Sequence, residues 1–260
     1  MRRKVFAVVA LLALVVCGVA YAAGSGPDVV AGTITAKANG SAKKPVVTSV
    51  TQQFSIKNAT SGDYAYPATN IKATIGNIKV ENVSSYPTCS TAQINADTNG
   101  AWNGVCPAAS QIATGSVNAT LYPIGTPTVG GVPCNLGLNV YNAGKGQLTF
   151  FLTATGTQCA GGALQTGAAA AWTATYKESG SSLVMNIPLP ADVSTNAGNL
   201  NTFWAAINSE TLNFKKISVK NKPVIVSTGC KANKRAYQLA FSIYNGSQTT
   251  VQSVNGKSSC

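Results

Sequence analysis

Cys89 and Cys106 stand seventeen positions apart, and two thiols at such a distance can ligate a metal, exchange electrons or tie down a loop. Cys134, Cys159, Cys230 and Cys260 follow them, and Cys17 precedes them. No Cys-x-x-Cys pair occurs, so a thioredoxin-like redox site is not expected. The chain has no histidine, and its cysteines are not clustered at zinc spacing, so no metal centre is expected either. The staple remains. Six cysteines in an exported chain read as three disulfides.

The missing histidine removes other chemistry. Neither a Ser–His–Asp triad nor a Cys–His dyad can form. Ser41-Ala-Lys-Lys44 matches Ser-x-x-Lys on paper, but it lies in a lysine-rich loop without the partner motifs of that chemistry. Glycoside hydrolysis asks for two carboxylates flanking one bond. The acids are Asp28, Asp63, Glu81, Asp97, Glu178, Asp192 and Glu210, scattered and in no recognisable setting. No glycine-rich phosphate loop opens a helix, so no nucleotide, nucleic acid or cofactor is expected.

The elements that must carry these residues begin after an address label. Arg2, Arg3 and Lys4 form a basic start, an apolar run follows, and Ala20-Tyr21-Ala22 supplies the small residues a signal peptidase needs. Residues 1–22 read as a secretory signal peptide, leaving 23–260 as the mature chain, with no later segment apolar enough to span a bilayer. Export takes three of the nineteen basic residues and leaves sixteen against seven acids. A basic, weakly charged secreted chain suits an anionic setting such as a cell wall; the plainer reading is that its charge keeps it soluble.

Helical periodicity is scarce. Short alternating runs rich in Val, Ile, Thr, Tyr and Phe recur between Gly, Pro and Asn, which argues for an all-β fold, a disulfide-stapled antiparallel sandwich of jelly-roll type. Strands are expected over 30–37, 46–56, 70–82, 112–122, 135–141, 147–155, 169–177, 182–187, 212–220, 224–227, 237–244 and 249–254. Helical turns are expected at 90–96, 107–111 and 202–208, the last capped by Thr202 and carrying Phe203 and Trp204. Residues 160–171 form an Ala/Gly-rich loop. One domain is expected, with 123–133 as the place where it would divide.

Two hairpins set expected registers. Leu136, Leu138 and Val140 can oppose Leu152, Phe150 and Leu148. Asn245-Gly246 signals a two-residue turn with Tyr244 opposite Ser247, which places Cys260 opposite Lys231 and one bulge away from Cys230. That favours local pairing of Cys230 with Cys260. By analogy Cys89 pairs with Cys106 and Cys134 with Cys159, each loop contributing about 3 kcal/mol on the loop-entropy account.

The cysteine segments carry a resemblance. Tyr86-Pro-Thr-Cys-Ser, then Cys106-Pro-Ala-Ala-Ser-Gln-Ile-Ala-Thr-Gly-Ser, resembles a set of uncharacterised secreted actinobacterial proteins, in which F/Y-P-x-C-S is followed by C-P-x-x-S-x-I/V-G-x-G. Val140-Tyr-Asn-Ala-Gly-Lys-Gly, Ile187-Pro-Leu-Pro and the 230–260 hairpin are similar too. Ala113 departs from the usual Gly, and Lys234-Arg235 from a position that is often aromatic. The resemblance implies export and a β-rich fold, and no activity.

Two features bear on binding. On the basic strand Phe214-Lys-Lys-Ile-Ser-Val-Lys-Asn-Lys222, alternation puts Lys216, Lys220 and Lys222 on one face, with Ile217 and Val219 on the other; Lys231, Lys234 and Arg235 follow, and no acid comes after Glu210. These residues form a candidate patch for anionic wall polymer, or else a solvated, lysine-guarded edge. Trp102 lies in the loop closed by Cys89 and Cys106, where an exposed indole can stack on sugar rings or plug the loop onto the sheet. The expectation is a secreted, non-enzymatic envelope or extracellular protein with a binding or structural role. A carbohydrate-binding module and a two-carboxylate hydrolase are the alternatives.

Overall fold

The computed structural model describes residues 20–21, 28–60, 63–96, 104–154, 159, 171–197 and 202–260. Strands dominate. In chain order they are β1 (Ala20–Tyr21), β2 (Asp28–Thr35), β3 (Val46–Val47), β4 (Val50–Asn58), β5 (Ala68–Gly76), β6 (Ile78–Val80), β7 (Gln111–Pro123), β8 (Val132–Gly144) and β9 (Gln147–Thr153). There follow β10 (Trp172–Ser179), β11 (Ser182–Pro188), β12 (Phe203–Phe214), β13 (Ser218–Val219), β14 (Lys222–Pro223), β15 (Ile225–Ser227), β16 (Lys234–Tyr244) and β17 (Thr249–Ser259). One short helix, α1 (Thr91–Asn95), starts at Ser90, which accepts from the Gln93 amide while Gln93 reaches back to the Ser90 amide.

The long strands form one sheet in the order β1-β2-β4-β12-β7-β8-β9-β10-β11-β5-β16-β17, antiparallel throughout. The sheet curls until β2 packs on β17, so it is nearly closed. Its two halves face each other like the layers of a sandwich: Phe54 of β4 meets Phe241 of β16 with 4.9 Å between ring centroids. Inward positions alternate as expected, with Tyr237, Leu239, Phe241 and Ile243 all buried. Gly32 marks the seam. Tyr237 donates its hydroxyl to the Gly32 carbonyl at 3.1 Å, and Leu239 lies too close to leave room for a side chain there.

Antiparallel order sorts the connections by end. The described residues of 36–49, 77–96, 104–110, 145–146, 180–181 and 215–233, with Cys260, emerge at one end of the barrel. The described residues of the connections 59–67, 124–131, 154–171, 189–202 and 245–248 emerge at the other. The stretch 123–133, read above as the place of division, joins β7 to β8, which are neighbours in the sheet.

Both hairpin registers differ from expectation by two residues. Leu138 opposes Leu152 and Val140 opposes Phe150, because the turn is only Lys145-Gly146 and a bulge lies beside Asn142. Tyr244 opposes Thr249, across a four-residue loop that Asn245 closes by donating its amide to the Gln248 carbonyl at 3.2 Å. A shift of two keeps every side chain on its face. Cys260 therefore lies across from Asn233, whose carbonyl accepts its amide at 3.3 Å. A tight turn at Ala232-Asn233, both with positive φ, brings Cys230 beside it, and no bulge is involved. The disulfides are Cys89–Cys106, Cys134–Cys159 and Cys230–Cys260, with Cα separations of 5.4, 4.0 and 6.5 Å.

Turns form at α1 and at Ala108–Ser110 as expected. The helical turn expected at 202–208 does not form; β12 begins at Phe203. Trp204 and Ala206 pack on one side of that strand, Ala205 and Ile207 on the other, and all four are buried. A strand covered on both sides shows no alternation to betray it.

Candidate functional site

The lysines are sorted along the barrel axis. The connections at the first end carry Lys37, Lys43 and Lys44 (36–49), Lys79 (77–110), Lys145 (145–146), and Lys215, Lys216, Lys220, Lys222 and Lys231 (215–233). Lys177, Lys234 and Lys257 sit at strand ends on the same side. The connections at the far end hold Asp63 and Asp192 and not one lysine or arginine. Beyond residue 22, only Lys57 and Lys72 among the lysines lie elsewhere. Among the described residues the acids at the basic end are Glu81 and Glu178, and Glu178 is engaged by Lys79 at 3.8 Å.

Local structure displays these charges on turn tips. β12 ends at Phe214, so the expected strand face of Lys216, Lys220 and Lys222 does not exist. Ile217 turns inward, and β13 and β14 form a small hairpin whose tip is Lys220-Asn221, both with positive φ. Lys216, Lys220 and Lys222 are exposed around it. Lys231 and Lys234 are exposed on the second tip, flanking Ala232-Asn233. Beside it runs an open groove of about 440 Å³ between 39–42 and 228–231.

Arg235 does not belong to this surface. It is fully buried. Its Nη2 donates to the carbonyls of Ala38 (3.1 Å) and Gly229 (3.4 Å), to Ser227 Oγ (2.7 Å) and to Cys230 Sγ (3.3 Å). Burial pushes its pKa down. The guanidinium is a clamp on the loops around the terminal disulfide. The signal was in the alternation: extending Tyr237, Leu239, Phe241 and Ile243 back by two puts Arg235 on the inner face.

Trp102 and Asp97 lie outside the described residues. The frame of the Cys89–Cys106 loop is described, and β8 and β9 hold it. Cys89 donates its amide to the Asn142 carbonyl at 2.8 Å and accepts from Thr149 Oγ1 at 2.9 Å. Asn142 Nδ2 donates to the carbonyls of Tyr86 and Pro87.

Inside the barrel lies a polar pair that the sequence did not announce. Gln52 and Glu210 are both buried, on neighbouring strands β4 and β12. Burial raises the Glu210 carboxyl to about 7, against a smaller lowering by its hydrogen bond from Gln52. Glu210 lines a cavity of about 80 Å³ toward the far end, and Gln52 lines one of about 60 Å³ toward the basic end. Asp192 also lines the first cavity. At that size it holds about three water-sized groups.

A second acid, Asp28, is buried at the far end, where the Tyr66 amide donates to its Oδ2 at 2.9 Å. Burial lifts its pKa to about 6, against that hydrogen bond. Tyr64, Tyr66, Tyr122, Trp204 and Tyr244 cluster nearby; Tyr64 and Tyr122 stack at 5.5 Å. Among the described residues no group of three or more His, Cys, Asp or Glu is placed to hold a metal ion.

Compared with family models, curated proteins and solved structures, the chain matches none.

Proposed function

We propose that this is an exported, non-enzymatic protein of the cell envelope that binds anionic polymer end-on, through the lysine-bearing tips of its barrel. The observation that carries the reading is the sorting of charge: ten lysines in the connections at one end and none at the other. Like charges so placed repel one another, and a polyanion relieves that repulsion. Three disulfides fit an oxidising compartment, and the basic start with Ala20-Tyr21-Ala22 fits export. Lysine is a compact, freely rotating charge with no fixed fork, which suits a flexible polymer of repeated anionic groups rather than one shaped ligand.

The test is retention on immobilised poly-glutamate and on polyglycerol phosphate, measured against salt. Saturable binding that weakens steeply between low salt and about 0.3 M is expected, since exposed charges are screened beyond about 10 Å at 0.1 M. Equal retention by uncharged dextran would assign it to sugar recognition instead.

A further inference from the structure

We infer that the far-end cavity is a binding site for a small neutral amphiphile: a short alkyl chain bearing one hydroxyl or undissociated carboxyl, seated against Glu210 and Trp172. The inference is independent of the basic end and its polymer.

Three observations support it. The lining is apolar almost throughout, with Leu138, Phe150, Ile187 and Ile207 among its walls, so water gains little there. A buried polar group on its wall is unsatisfied among the described residues: the indole N–H of Trp172, 8% exposed, has no acceptor. Orphaned buried groups of this kind are rare in folded proteins and cost free energy unless something satisfies them. Glu210 completes the set. Gln52 holds one of its oxygens, and a carboxyl kept neutral by burial can donate as well as accept.

The occupant follows from these groups. It needs an acceptor for the Trp172 N–H, a hydroxyl-type group for exchange with Glu210, and an aliphatic remainder. Room for about three water-sized groups, with slight relaxation of the walls, limits it to about five non-hydrogen atoms. So small a ligand binds weakly, in the millimolar range.

The experiment is a titration of the oxidised mature protein with 1-butanol, followed at the Trp172 indole in ¹H–¹⁵N spectra, with the peak assigned by Trp172→Phe. A saturable shift of that peak is expected. 1-Chlorobutane has the same number of heavy atoms and no hydroxyl, and once each affinity is referred to the ligand's own partition from water into alkane it should bind about tenfold more weakly, the value of one hydrogen bond. Filling the cavity by Ala205→Leu, or from another strand by Ala119→Val, should abolish the shift in whichever variant keeps its disulfides and its circular dichroism. No saturable shift with 1-butanol, equal affinity for 1-chlorobutane after the partition correction, or binding retained in a folded filled variant would each overturn the site. If neither variant folds, the parent titration with the two ligands decides.

Discussion

Gln52 Nε2 donates to Glu210 Oε1 at 2.7 Å across the β4–β12 pair, two residues off register, in the middle of the barrel. Because the folded pKa, about 7, lies above the ordinary 4.5, the folded state holds a proton that the unfolded state has released between those values. Stability is therefore full below pH 4.5 and falls as the pH rises to 7, by ~3 kcal/mol from Glu210. Asp28 acts in the same direction between 3.8 and about 6. Urea unfolding from pH 4.5 to 8 should show the decline, and Glu210→Gln should flatten most of it above pH 6. A stability that rises over that range would contradict the burial of both acids.

Arg235→Ala should cost about 2–4 kcal/mol, because it leaves a void and strands the carbonyls of Ala38 and Gly229. Arg235→Lys should not restore it, since all four partners are reached by Nη2 and the shorter lysine side chain leaves its ammonium short of that position. Retention on poly-glutamate by whatever fraction stays folded should equal that of the parent. A stable Arg235→Ala with weakened retention would put this side chain on the surface.

At the seam, a Cβ on Gly32 would stand 2.7 Å from Leu239 Cδ1 and 2.8 Å from the Gln53 carbonyl oxygen. Leu239 can turn aside, but the carbonyl is fixed in the β2–β4 ladder. Gly32→Val should therefore destabilise by about 1–3 kcal/mol. Hydrogen exchange should quicken first in β2 and β17, and unchanged protection there would show that the closure does not depend on this contact.

The triple reversal Lys216→Glu, Lys220→Glu and Lys222→Glu should remove most of the polymer retention. Its melting temperature should stay near that of the parent, since exposed charges contribute about 0–1 kcal/mol each. Lys57→Glu with Lys72→Glu is the matched control away from the basic end. If the control loses as much binding per charge as the triple variant, net charge and not its placement is responsible.

Much of the fold could be read from the chain. Alternation assigned the faces of β8, β9 and β16 correctly even though both hairpin registers slipped, because the slips were even. Turn length was the weak point: Asn245-Gly246 looked like a two-residue turn, yet Asn245 spends its side chain accepting from the amides of Ser247 and Gln248. The lysine spacing identified Lys216 to Lys234 as a feature. The charged end itself was hidden, because it depends on β12 lying between β4 and β7, and β5 between β11 and β16. Glu210 was equally hidden: a carboxyl at an inward position looks the same in sequence as one facing solvent.

Charge displaced along an axis makes the molecule an electric dipole. A field from an anionic surface exerts a torque on such a body before it touches, turning the Lys220-Asn221 and Ala232-Asn233 tips toward the surface. The molecule then stands with its barrel upright, and 124–131 and 245–248, uncharged, point away into the medium. Ile124 and Val129, both exposed, would face outward in that posture. A layer of such molecules would turn a charged wall into one whose outer skin carries few charges and is partly apolar.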